Sequence, residues 1–208
     1  IEMLKIWGRT NSINVQKVLW CCAEVGLHYE RIDAGMQFGV NNTPEFKALN
    51  PNGLVPLIND DGFVLWESHA IVRYLARKHG QGTLCPADPC AAADADRWME
   101  WYSTTLWNHM KPMFWNLVRT PPEKRNLTEV EDNRQKLAGY LAMADAHLAR
   151  HDYLAGAQFT MGDIPLAVLA HRWFNLPIAR PALPRYERWF RTVAARPAFQ
   201  QQCAAPLT

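Results

Sequence analysis

The pattern of apolar and polar residues divides the chain into a first part with short strands and a second part with long helices. The predicted strands show two-residue alternation or a short apolar run, and they are residues 4–7, 28–33, 54–58 and 62–66. The predicted helices of the same part repeat apolar residues at helical spacing, and they are residues 13–25, 44–49 and 68–79. Gly26 and Gly80 follow two of these helices, where glycine is typical of a helix end. The first 80 residues are therefore predicted to fold as βαβ followed by ββα.

After the linker Gly80–Pro89 the strand signals stop. The second part is predicted to contain only helices, namely residues 91–119, 126–151, 159–174, 183–195 and 197–202. An α/β unit followed by helices predicts an α/β plus all-α fold with two domains. We place the first domain at residues 1–80 and an all-helical bundle domain at residues 91–208.

Composition narrows the function classes. The chain has 208 residues, 49% of them hydrophobic, and a formal net charge of +2 without a basic block, so it is globular and nucleic-acid binding is not expected. No signal-peptide pattern and no membrane-length apolar run is present, and no membrane partner is expected. Five cysteines without a CxxC spacing argue against a disulfide framework or a zinc site, and the histidines show no metal-ligand spacing. Without an export signal, a reducing cytoplasm is the expected location.

Polar side chains crowd the junction between the first strand and the first helix. Ser12 or Asn11 is expected to cap that helix, which is the ordinary role of such residues. A hydroxyl at Ser12 is also placed to donate to a ligand sulfur at the positive end of the helix. Helix N-termini lower thiol pKa values, and one hydrogen bond to an anion is worth about 1.5–3 kcal/mol, or roughly one to two pKa units. Thr10, Asn11 and Asn14 are rivals for that contact.

Two further segments point to a peptide ligand with a free amino-acid end. Val55–Pro56 lies where a loop enters a strand, and a cis bond there would expose the backbone of Val55 for pairing with an extended peptide, although proline also starts ordinary edge strands. Glu67 and Ser68 open the next helix. Alone they are a solvated carboxylate and a capping serine, but together they suit an ammonium and a carboxylate on one carbon.

The order of a strand, a Ser-x-Asn helix start, Asn50–Pro56 (NPNGLVP) and Glu67–Leu75 (ESHAIVRYL) resembles the glutathione transferase family over the whole chain. A serine at position 12 with no nearby tyrosine looks like the theta-type and related bacterial serine classes. The resemblance implies a thioredoxin-like first domain and a helical second domain. Residues 159–163 look like the buried capping box of that second domain, with Thr160 as the cap and Asp163 answering it.

The resemblance also implies roles for individual residues. Ser12 would stabilise the thiolate of glutathione, Val55 with a cis Pro56 would pair with its cysteinyl part, and Glu67 with Ser68 would hold the γ-glutamyl end. The remaining candidates lie at glutathione-binding positions of the family, and they are Asn11, Asn14, Asn41, Asn42 and Leu54. Asn41 and Asn42 stand where theta-type proteins place basic or imidazole side chains, and Leu54 stands at a position that is often Lys.

The aromatic helix 91–119 offers the second site. Helix packing is the default role of its apolar side chains, and the resemblance implies that Trp107 and Phe114 line an apolar cleft for the electrophile. The function implied is a glutathione S-transferase whose bound thiolate attacks small electrophiles, as a homodimer without a metal. A non-catalytic glutathione-binding module and a glutathione-dependent dehalogenase or isomerase remain open alternatives. Cys21 and Cys22 lie too deep in the first helix to act at its start.

Overall fold

The first part of the chain folds around a four-stranded mixed sheet. The computed structural model describes residues 3–208, so the first two residues of the predicted N-terminal domain lie outside it. The elements are β1 (Leu4–Trp7), α1 (Ile13–Glu24), β2 (Tyr29–Ile32), α2 (Pro44–Leu49), β3 (Leu57–Asp60), β4 (Phe63–Trp66) and α3 (Ser68–His79). The strand order is β2-β1-β3-β4, with β1 and β2 parallel and the other neighbours antiparallel. The thioredoxin-like βαβ-ββα prediction is therefore confirmed.

The register of the sheet places apolar side chains in the core. Ile6 of β1 pairs with Ile58 of β3, which pairs in turn with Leu65 of β4. Helix α1 packs against α3, and the apolar positions that predicted α1 are all buried, namely Val15, Val18, Leu19 and Cys22. Burial of these side chains supplies the main favourable free energy of this part of the fold.

The third strand begins three residues later than its sequence pattern predicts. The prediction was 54–58, whereas β3 starts at Leu57. Pro56 has no N–H to donate to a strand ladder, so residues 54 and 55 stay in the preceding loop. This displacement leaves the backbone of Val55 outside the sheet.

The second part is entirely helical, as predicted. Its helices are α4 (Pro89–Trp101), α5 (Trp107–Phe114), α6 (Leu127–His147), α7 (Asp163–Asn175), α8 (Pro184–Ala194) and α9 (Pro197–Gln202). The single helix predicted over 91–119 is wrong in detail, because π-helical turns at Tyr102–Leu106 and Trp115–Arg119 follow α4 and α5. Pro112, inside α5, lacks the N–H that would close a helical hydrogen bond, and such sites often accompany a change in helical winding.

Asp163 is the buried polar centre of the helical part. Its Oδ2 accepts from the Thr160 N–H at 3.0 Å, as the capping-box prediction requires. The hydroxyl of Thr160 accepts from Gly162 at 3.2 Å, not from Asp163, whose own N–H donates to the Thr160 carbonyl. Oδ1 of Asp163 also accepts from the Leu154 N–H and from Nε1 of Trp189. The prediction of Thr160 as the cap is wrong, because α7 begins at Asp163 and Gly162 occupies its N-cap position without a side-chain cap bond. The Asp163 carboxylate instead ties the start of α7 to the preceding loop and to α8.

The two parts of the chain share an extensive interface. Helix α1 packs against α7 and α9, and its buried side chains share one core cluster with Ile6 and Ile58 of the sheet, so the same helix joins the core of the first part to the helical part. Within residues 3–208, no helix combines the length and the apolar character needed to cross a membrane.

Candidate functional site

The start of α1 is organised around Ser12. Ser12 is the N-cap residue, and its Oγ accepts from the Val15 N–H at 3.4 Å, which confirms the predicted cap. A Cβ at position 8 would lie 2.3 Å from Cγ2 of Val15, so only glycine lets the preceding turn pack this closely. The serine side chain is buried, and within residues 3–208 its hydroxyl has no acceptor for its own proton. That hydroxyl is free to donate to a ligand at the helix N-terminus.

The rival polar residues at this junction divide between two cavities. Asn14 lies with Ser12 in the cleft described below, and its Oδ1 accepts from Nζ of Lys17 at 3.0 Å. Thr10 and Asn11 instead line a neighbouring cavity of about 480 Å³, where Nδ2 of Asn11 donates to Oγ1 of Thr208 at 3.0 Å. Asn14 is thus the rival that the fold places beside Ser12.

A buried lysine supports Asn14. The Nζ of Lys17 also lies 3.0 Å from Nε2 of His69 and 3.9 Å from the centre of the Tyr102 ring. Burial holds the pKa of Lys17 well below its ordinary value, and the charge of Arg172 lowers it further, whereas Glu67 raises it. Burial likewise lowers the pKa of the His69 imidazole. The amide of Asn14 is therefore oriented by a network that continues into the helical part through the Tyr102 ring.

The loop before β3 faces the start of α1. The Val55–Pro56 peptide bond is cis, as predicted, and Val55 lines the cleft with Leu54. Within residues 3–208, the backbone N–H and C=O of Val55 have no hydrogen-bond partner. Asn50 holds the loop by donating from Nδ2 to the Leu54 carbonyl at 2.9 Å. The loop therefore presents an unpaired backbone of the kind that an extended peptide can join.

The start of α3 differs from its prediction. Ser68 was expected to be the N-cap, but the helix begins at Ser68 and Glu67 occupies the cap position. The reason is that the Glu67 carbonyl already accepts the first helical hydrogen bond, from the Ile71 N–H at 3.0 Å. Glu67 has φ +74°, a left-handed conformation that costs a non-glycine residue roughly 1–3 kcal/mol. Its side chain is exposed, Ser68 is buried, and neither lines the cleft.

The two asparagines before α2 have different surroundings. Asn41 lines the cleft and donates from Nδ2 to the Gly53 carbonyl at 2.8 Å, while its Oδ1 is buried without a partner among residues 3–208. Asn42 is exposed and does not line the cleft. The structure thus brings one of the pair to the site.

A cleft of about 400 Å³ separates α1 and the Val55 loop from α5. Both aromatic residues predicted for its wall, Trp107 and Phe114, line it. Sequence reasoning missed further lining residues, namely Arg9, Lys111, Trp115, Arg119 and Arg172. A signal for most of these exists, because positions 107, 111, 115 and 119 recur every four residues along one helical face. Arg172 has no such local signal.

Arg172 is the most buried charge at the cleft. Its guanidinium lies 3.6 Å from the centre of the Phe114 ring and 5.8 Å from that of Trp107. Burial lowers the pKa of Arg172 to about 9, and the charges of Arg119 and Arg9 contribute to that decrease. The apolar wall predicted for the cleft therefore carries a strongly basic side.

The cysteines lie away from this chemistry. Cys21 and Cys22 are buried in α1, and burial raises the pKa of Cys22 to about 12, which disfavours the reactive thiolate. Among residues 3–208, no group of three His, Cys, Asp or Glu side chains is arranged to hold a metal ion.

Comparisons with known proteins agree with this geometry. Residues 2–77 match the family model for the glutathione S-transferase N-terminal domain, and residues 106–197 match that for the C-terminal domain. Glutathione S-transferase GstB of Escherichia coli K12 is 42% identical over 188 residues, which is 89% of this chain and 90% of the relative. Glutathione S-transferase 3 of Zea mays is 37% identical over 185 residues, which is 87% of this chain and 81% of the relative.

Solved structures show the same similarity over the whole chain. The glutathione-bound theta class glutathione S-transferase of Xanthomonas axonopodis pv. citri is 44% identical, covers 100% of both chains and has a TM-score of 0.96. A glutathione S-transferase III structure without ligand is 35% identical, covers 98% of this chain and 97% of the other, and has a TM-score of 0.85.

Proposed function

We propose, on the premise that this chain belongs to the glutathione transferase family, that Ser12 stabilises the thiolate of bound glutathione at the start of α1. The chain is a glutathione S-transferase with glutathione as its cosubstrate. The observation that carries the proposal is the buried Ser12 hydroxyl, which lines the cleft and has a free proton to donate among residues 3–208. One such bond to an anion is worth about 1.5–3 kcal/mol.

We assign the rest of the glutathione site to residues around that hydroxyl. The unpaired backbone of Val55, beside Pro56, would pair with the cysteinyl part of glutathione. Exposed Glu67 would pair with the γ-glutamyl ammonium, and the N–H groups at the start of α3, with Ser68, would take its carboxylate. The side chains assigned to the rim of this site are Asn14, Asn41 and Leu54, which line the cleft. The resemblance also gave Asn11 and Asn42 a place there, but Asn11 lines the neighbouring cavity and Asn42 is exposed, so neither is assigned a contact.

Attack on the electrophile would take place in the cleft between the two domains, 1–80 and 91–208. The thiolate is the nucleophile, so the protein contributes orientation and stabilisation of the sulfur charge. Trp107 and Phe114 would cover the reacting carbon and exclude water from it. This role agrees with their position across the cleft from Ser12.

The test is a titration of the bound thiol by its ultraviolet thiolate absorbance. Ser12→Ala should raise the pKa of bound glutathione by about one to two units, whereas Ser12→Thr, which keeps the hydroxyl, should change it less. Thr10→Ala removes a neighbouring exposed hydroxyl and serves as the matched control. An unshifted pKa in Ser12→Ala with intact glutathione binding would remove Ser12 from this role. If Asn14→Ala alone shifted it, the role would pass to that amide.

We also propose that the protein is a cytoplasmic homodimer. The edge strand β4 exposes Phe63 and Trp66, with 48% and 37% of their surface accessible, and a second copy would cover such apolar surface. The cysteines in residues 3–208 are free thiols, which suits a reducing compartment. Sedimentation equilibrium should give about twice the chain mass of 23.8 kDa, and a monomer at micromolar concentration would contradict the dimer.

A further inference from the structure

Among the residues that the structure describes, the charges that line the cleft all have one sign. Four of these residues are basic, namely Arg9, Lys111, Arg119 and Arg172, and none is Asp or Glu. Elsewhere in residues 3–208 arginines commonly pair with carboxylates, as Arg73 does with Asp96 and Glu100. Within the described part of the chain, positive charge therefore accumulates in the cleft without a protein counter-charge.

Arg172 is the clearest case of an unpaired charge. Only 5% of its surface is exposed, yet within residues 3–208 its guanidinium makes no salt bridge and no hydrogen bond. Its close contact is with the face of Phe114, which supports a cation from one side and leaves the guanidinium donors free. Because Arg172 lines the cleft and its donors have no acceptor among residues 3–208, those donors are available to an anionic group in the cleft.

Arg9 and Arg119 converge on the same space. The Nε of Arg9 is buried without a hydrogen-bond partner among residues 3–208, and its guanidinium lies against Gly35, beside Val55. Arg119 donates to the Thr208 carbonyl at 3.3 Å and otherwise contacts the faces of Phe114 and Trp115. Burial lowers the pKa of both arginines, and each stands near enough to Arg172 to lower its pKa as well.

We infer that the electrophilic substrate of this enzyme carries a carboxylate, and that Arg172, with Arg119 and Arg9, binds it. Guanidinium groups match a carboxylate with two parallel hydrogen bonds, and their strength increases where water is excluded. The aromatic rings of Trp107 and Phe114 leave room for a flat or apolar body beside that anion. This inference rests on the proposed function, because Ser12 must hold the attacking sulfur within the same cleft.

A suitable probe is 4-chloro-3-nitrobenzoate, compared with its methyl ester. In both, the glutathione thiolate forms a bond from sulfur to the ring carbon that carries chlorine, and chloride leaves with the electron pair of the broken bond. The carboxylate or ester takes no part in the bond changes. At the reacting carbon, the two probes therefore differ only in intrinsic reactivity. Dividing each catalysed rate by the rate of the uncatalysed reaction with glutathione removes this difference.

At saturating glutathione, we expect the corrected kcat/KM of the carboxylate to exceed that of the ester by about tenfold or more, which is the effect of one charge-assisted hydrogen bond. Arg172→Met and Arg119→Met should each reduce this ratio by about tenfold. Arg150→Gln is the matched control, because this exposed arginine does not line the cleft, and it should leave the ratio unchanged. If Arg172→Met fails to fold, the ratio of acid to ester in the wild-type protein and its change in Arg119→Met still test the inference.

Binding supplies a readout that needs no turnover. Unreactive 3-nitrobenzoate should bind glutathione-loaded protein about tenfold more tightly than its methyl ester, and high salt should weaken the acid only. If the acid and the ester have nearly equal corrected kcat/KM values and nearly equal affinities, the inference is overturned. The same result is expected if a carboxylate of glutathione itself occupies the arginines. Ester turnover without a carboxylate preference would leave the proposed function intact. If the wild-type protein showed no thiolate absorbance from bound glutathione, the proposed function itself would fail.

Discussion

A salt bridge between α1 and the start of α9 should make a measurable contribution to stability. Nε and one Nη of Arg196 donate to the two carboxylate oxygens of Glu24, both at 2.8 Å. Oε1 of Glu24 also accepts from Nε1 of Trp20 at 2.8 Å, and the guanidinium lies 4.1 Å from the centre of the Phe159 ring. The pair therefore joins the first domain to the helical one through a bidentate contact with an aromatic support.

The burial of the two partners sets the magnitude. The Glu24 side chain is 10% exposed and that of Arg196 is 33% exposed, so the pair lies between a surface salt bridge worth about 0.2–1 kcal/mol and a buried one whose disruption costs about 3–5 kcal/mol. Arg196→Met should lower the free energy of unfolding by about 2 kcal/mol, because Glu24 keeps only Trp20 as its donor.

Urea unfolding, followed by both tryptophan fluorescence and far-ultraviolet circular dichroism at fixed protein concentration, measures this loss. A double-mutant cycle with Glu24→Gln should give a coupling energy of about 1–2 kcal/mol. Arg191→Met is the matched control, because the side chain of Arg191 is 77% exposed and that of its partner Glu187 is 45% exposed. This variant should lower the free energy of unfolding by less than about 1 kcal/mol. A coupling energy no larger than that of the exposed pair would refute the reasoning.

Two further predictions concern the helical part. Burial raises the pKa of Asp163 to about 6, against about 3.9 for an unfolded aspartate, so the folded protein holds an extra proton in this interval. The free energy of unfolding should therefore fall by about 2 kcal/mol as pH rises from about 4 to 6; Asp163→Asn should lack this part of the slope, and an equal slope in both proteins would be the contrary result. Gly162→Ala should cost about 1–3 kcal/mol in urea unfolding, because its Cβ would lie 2.8 Å from the Ala95 carbonyl oxygen. The control Gly139→Ala meets nothing within 4 Å in α6 and should stabilise by roughly 0.5–1 kcal/mol, so similar losses in both variants would count against the crowding argument.

Much of the fold is readable from the sequence because it depends on local interactions. The apolar periodicity of α1 and the glycine after it predict a helix that the structure places within one residue of the expected end. The predicted bounds are wrong where the conformation of the backbone does not follow from the spacing of apolar residues. Pro56 delays β3 because it has no N–H, and π turns interrupt the predicted helix over 91–119 although its apolar pattern continues.

The candidate site divides in the same way. The sequence by itself determined the cap at Ser12 and the cis bond at Val55–Pro56, because each belongs to a short segment whose chemistry depends on its immediate neighbours, and the order of such segments indicated the family. Only the tertiary structure decided that Asn14 rather than Asn11 lies beside Ser12 in the cleft. Only it placed Arg172, which has no counter-charge among residues 3–208, beside Arg9, which is more than 160 positions earlier in the chain. Such a juxtaposition is produced by packing α7 against both α1 and α5, and no local pattern of apolar and polar residues records it.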